Sequence, residues 1–115
     1  MEIKIVKAPI NKKELIDMAK EQFGDLLKAV VDIEQEIIAV GGEMHADEEV
    51  ILMEQEDSKR EHIWGINLYP EKMGEDLIEF DSVINLKPSF GNRSRGIDVP
   101  KIKEKIRNII KKLVL

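Results

Sequence analysis

Cysteine is absent from this sequence, which excludes disulfides, thiolate metal sites and cysteine nucleophiles together. Aromatic residues are scarce, with one Trp, one Tyr and three Phe in 115 residues, too few for a base-stacking surface. There are four Pro and seven Gly and no low-complexity tract, repeat or linker, so one domain spanning 1–115 is expected. No run approaches the ~18 apolar residues of a membrane-spanning helix, and no membrane partner is expected. The opening MEIKIVKAPI lacks the apolar core of a secretory leader, so a cytoplasmic location is expected.

Charge, by contrast, is plentiful. Charged residues make up 36% of the chain, a composition that resembles thermophile proteins. The net charge of −5 is uneven. Residues 82–115 carry nine Lys or Arg against two acids, Asp98 and Glu104, a net of +7, which leaves −12 for residues 1–81. Two solvated faces of opposite sign would account for this. A basic end that meets a small anion would also account for it, as would a homodimer in which the acidic face of one copy meets the basic end of another. Nucleic acid is not an expected partner, because the overall charge is negative and only Phe90 accompanies the basic residues.

Apolar periodicity predicts the elements. Glu2 to Lys7 alternates as a strand. Asn11 and Glu14 have capping-box spacing, opening a helix to about Gln22 with Gly24 as its stop. Leu26–Ile33 and Ile37–Gly42, apolar on both faces, predict a central hairpin whose turn lacks the usual glycine. Gly41 and Gly42 point to close approach of another group. Ala46–Glu56 reads as a helix capped by Asp47, with a strand as the alternative. Ile63–Tyr69 is a strand in which Gly65 suggests a bulge. Ile78–Leu86 alternates most clearly of all and predicts a full strand. Asp98 and Pro100 open a last helix to about Leu113, with an isoleucine stripe to bury. The sum is an α+β fold: a mixed, mostly antiparallel sheet of about five strands with about three helices packed on it.

Three constellations carry candidate chemistry. In Ser89–Gly96, two glycines, Asn92, Ser94 and the pair Arg93 and Arg95 form a polar loop that feeds a helix, an arrangement suited to phosphate or carboxylate. The alternative is an arginine that pins the loop to Asp81 or Glu79. In Glu43–Asp47, an extended chain would place Glu43, His45 and Asp47 on one face, a metal-ligand set weighed against a plain helix start. Around Trp64, core packing is the simpler role, with Tyr69 half exposed, while Asn67 and Tyr69 beside Asp81 and Asn85 would line a pocket wall. No cofactor is expected. The leading function is binding of a small anionic ligand, such as a nucleotide or phosphometabolite, near the 89–96 loop. The alternatives are a phosphoester hydrolase using His45 or Asp81 with Arg93 and Arg95, and a non-catalytic homodimer.

The segments GGEMHADEE, WGINLYPE and FDSVINLKPSFGNRSRG together resemble a family of small bacterial and archaeal proteins of unknown function. The resemblance covers nearly the whole chain, and its three segments are more specific jointly than singly. It implies no activity and assigns no catalytic residue.

Overall fold

Backbone pairing follows from the apolar runs. The computed structural model describes residues 2–115. Strands β1 (Lys4–Val6), β2 (Leu27–Asp32), β3 (Ile37–Val40), β4 (Ile63–Leu68) and β5 (Ile78–Glu79) form one sheet in the order β1-β3-β2-β4-β5. All four pairings are antiparallel, in keeping with the mostly antiparallel five-stranded sheet expected. Helices α1 (Lys12–Gln22), α2 (His45–Glu56) and α3 (Pro100–Leu113) pack on it.

The central strands are apolar on both faces because both faces are covered. On one side Leu15 and Ala19 of α1 and Ile106, Ile109, Ile110 and Leu113 of α3 bury against Leu27, Ala29, Val31, Ile38, Trp64 and Ile66. On the other, Leu52 of α2 and Ile84 bury against Val30, Ile37, Ala39 and Ile63. Alternate β2 and β4 side chains enter opposite layers, as strand periodicity requires. Lys28 and Asn67, register partners across β2 and β4, stand on the α2 side, where the cover is incomplete.

Local signals explain the turns. Asn11 caps α1, its side chain accepting from the Lys13 N–H at 2.8 Å. Glu14 does not close the box; its carboxylate takes Lys4 at 2.6 Å instead. The β2–β3 turn manages without glycine because the buried Asp32 carboxylate accepts from the Glu34 and Gln35 N–H groups and from the Ser58 hydroxyl. Glu36 completes the turn at φ 57°.

Three expectations are corrected. Residues 78–86 do not form a full strand: β5 ends at Glu79, and Val83–Asn85 is a 3-10 turn. Asn85 replaces the missing ladder, its side-chain oxygen accepting from Gly65 N at 2.7 Å and its amide donating to Gly65 O at 2.9 Å. Gly65 is not a bulge, since the β2–β4 register runs through it unbroken. It is glycine because a Cβ there would lie 2.5 Å from Ser82 Cβ. Asp47 does not cap α2; Met44 holds that position, and no side chain caps the helix.

Candidate functional site

The 82–98 segment is held by its own side chains. Asn92 is fully buried, and its amide donates to the carbonyls of Asn85, Ser94 and Gly96 while its oxygen accepts from Asp98 N. Asp98 in turn accepts from Arg93 N at 2.8 Å and from the Ser94 hydroxyl at 2.6 Å. These bonds, Ser94 first, draw the Asp98 carboxyl below the usual carboxylate range. The Arg93 N–H and the Ser94 hydroxyl are thus occupied by the chain's own carboxylate, and the Asn92 amide by its own carbonyls.

One residue of the loop turns elsewhere. The Arg95 carbonyl accepts from Ser82 N and from the Asn85 amide, both at 2.9 Å, which fixes the backbone from which its side chain leaves. Its guanidinium meets Asp81 at 2.8 Å, both groups about half exposed. This pair borders a depression of about 510 Å³ on the α2 side of the sheet. The floor is the incompletely covered sheet surface, with Lys28 and Asn67; His45 and Ala46 at the start of α2 form one wall, and Asp81–Ile84 with Arg95 another. The volume is that of a small-molecule site.

His45 is the best positioned proton carrier there. Its Nε2 lies 2.8 Å from the Ile66 carbonyl, which only accepts, so Nε2 carries the hydrogen and Nδ1 the lone pair in the neutral ring. Burial lowers its pKa below the usual histidine value, and the Lys28 and Arg95 charges act in the same direction, against the Ile66 carbonyl and Asp81. The neutral ring leaves two cations and one carboxylate around the depression. Met44, His45 and Ala46 open α2 without a side-chain cap, so the positive helix end adds to the cationic side.

The depression therefore joins His45, Asn67, Asp81 and Arg95. Asn85, Asn92 and Ser94 lie outside it, occupied with backbone or with Asp98, and Arg93 does not line it. Lys28 is the member that sequence reading missed. Its signal is a lone cation inside the apolar run of β2. Glu43, His45 and Asp47 do not share a face, because the chain is helical from His45 onward and positions 45 and 47 diverge by about 200°. Among the described residues, no group of three His, Asp or Glu is placed to hold a metal ion.

Glu48 was also missed. It is fully buried, its Oε2 accepting from Gly42 N at 2.9 Å, and a Cβ on Gly42 would lie 2.8 Å from Glu48 Cγ. Burial pushes its carboxyl well above the usual range. A second depression, about 420 Å³, lies between residues 74–78 and α3. Its Arg107 pairs with Glu104 at 3.6 Å and stacks on Phe80, and none of the candidate site residues lines it.

No curated protein and no solved structure matches the chain. The family described as "Protein of unknown function (DUF5674)" matches residues 4–113, nearly the full length, and the chain belongs to that family.

Proposed function

We propose that the protein binds a small anionic ligand in the depression bordered by Lys28, His45, Asn67 and Arg95. The observation that carries this reading is the convergence of two cations and an imidazole from separate elements on one recess of small-molecule size, which Asn67 also lines. Among the described residues, no carboxylate forms a salt bridge with Lys28. Arg95 keeps further donors beyond the single Nε bond to Asp81, as planar recognition of phosphate or carboxylate requires.

The test is calorimetric titration with inorganic phosphate and nucleoside monophosphates at low salt, with Arg95→Ala beside the wild type. The Arg95–Asp81 pair is half exposed, so Arg95→Ala changes stability by less than about 1 kcal/mol while abolishing the saturable binding. As the pH falls the wild type gains affinity relative to His45→Gln, because His45 then takes up a proton. Absence of saturable binding by every anion, or binding unchanged in Arg95→Ala, contradicts the reading.

A hydrolytic reading is favoured by one observation. The Nε2–H bond to Ile66 fixes the ring so that its lone pair sits on Nδ1, as a general base requires. Arg95 would then stabilise developing charge on a phosphoester. Turnover of p-nitrophenyl phosphate that is lost in His45→Gln supports it; no turnover above background rejects it.

A further inference from the structure

Resting on the anion-site reading, we infer that the ligand is amphipathic: a carboxylate or phosphate head joined to a flat apolar ring. The rim of the same depression carries three large apolar side chains left in water. Phe23 is 45% exposed, Met44 57% and Val83 61%. Single exposed apolar side chains are ordinary on a protein surface, but three from separate elements around one polar floor form a patch that calls for a partner. Phe23 stands at the end of α1, Met44 just before α2 and Val83 in the 3-10 turn after β5.

Rim and floor adjoin. The Lys28 ammonium sits 5.5 Å from the centroid of the Phe23 ring, so the cation and the aromatic surface are presented side by side. A free inorganic anion satisfies the floor and leaves the rim wet. A ring seated against Phe23, Met44 or Val83 with its anionic head toward Lys28 and Arg95 satisfies both. The methionine thioether adapts to the shape of such a ring and contacts it favourably. The recognised class is thus aryl carboxylates and aryl phosphates, with the head group's identity open to direct test.

The experiment is calorimetric titration of the full chain with inorganic phosphate, phenyl phosphate, benzoate and uncharged benzyl alcohol. At least one ring-bearing anion binds about tenfold or more tightly than inorganic phosphate, the gain expected from covering part of an aromatic ring. Which of the two binds better identifies the head group. Benzyl alcohol binds far more weakly than either. Phe23→Ala and Val83→Ala, both surface changes, weaken binding of the ring-bearing anions by a larger factor than binding of inorganic phosphate, which erases the advantage of the ring; an equal loss for both kinds of anion overturns the inference. Equal affinity for inorganic phosphate and both ring-bearing anions overturns the amphipathic ligand and leaves the anion site standing. Benzyl alcohol binding as tightly as phenyl phosphate overturns it also, since the head group would then contribute nothing. No saturable binding by any of the three anions overturns both this inference and the reading it rests on.

Discussion

Asp98 and Arg95 stand three residues apart and have opposite tasks. Asp98 turns back onto its own loop and accepts from the Arg93 N–H and the Ser94 hydroxyl, so part of a pattern that suits an anion is satisfied internally. Arg95 turns outward to the depression. Nothing in the local sequence separates the two, because the partner that decides each role is set by how the loop closes. Glu48 poses the same difficulty. An acid in the first turn of a helix reads as a favourable charge at the positive end, yet this one is buried against Gly42. Its folded pKa is raised above the ordinary carboxyl value, so the folded state holds its proton more tightly than the unfolded state. The stability it contributes is complete below the unfolded carboxyl pKa and is lost as pH rises through the raised folded value. Glu48→Gln is therefore expected to gain stability relative to the wild type as pH increases. Thermal unfolding of both across pH 4 to 9 (about the accessible range for carboxyl and imidazole titration) checks this; a difference that does not vary with pH contradicts the assignment.

At the scale of elements, legibility depended on whether a signal was local. The Asn11 cap and the isoleucine stripe of α3 are local, and both are present as read. Ile106 is fully buried, so Ile106→Ala costs about 2–5 kcal/mol; a loss near zero in denaturant unfolding would mean that α3 is not docked. The alternation over 78–86 was misleading for a physical reason. Period-two patterning reports which side chains are buried, not which groups pair with the backbone. After Glu79 the Asn85 amide supplies the bonds to Gly65 that a strand would have supplied, and Ser82 presses onto that glycine. Gly65→Ala is expected to cost about 1–3 kcal/mol through overpacking and to loosen residues 82–85. Hydrogen exchange that remains unchanged there would show that the close approach is not required.

The whole molecule explains why the candidate site was legible only in part. Lys28, His45, Asn67 and Asp81 come from the acidic portion of the chain and Arg95 from the basic portion. Charge asymmetry pointed to the basic end, but the recess lies where the two portions meet. It exists because α2 and the 82–85 turn cover that face of the sheet incompletely, a consequence of tertiary packing that no window of sequence contains. Asn67 was legible because it interrupts the apolar run of β4, whereas His45 opens α2 and Asp81 and Arg95 lie in polar stretches between elements. Lys28 escaped notice because the run containing it reads as covered on both faces, and only the tertiary packing leaves its face of β2 partly open.

The most direct test of the anion site is a titration of inorganic phosphate into isotopically labelled protein, followed residue by residue by nuclear magnetic resonance. The account predicts saturable shifts, with one common affinity, at Lys28, His45, Ala46, Asn67 and Arg95. Shifts confined to residues 91–94, or no saturable shift at any residue, would contradict it.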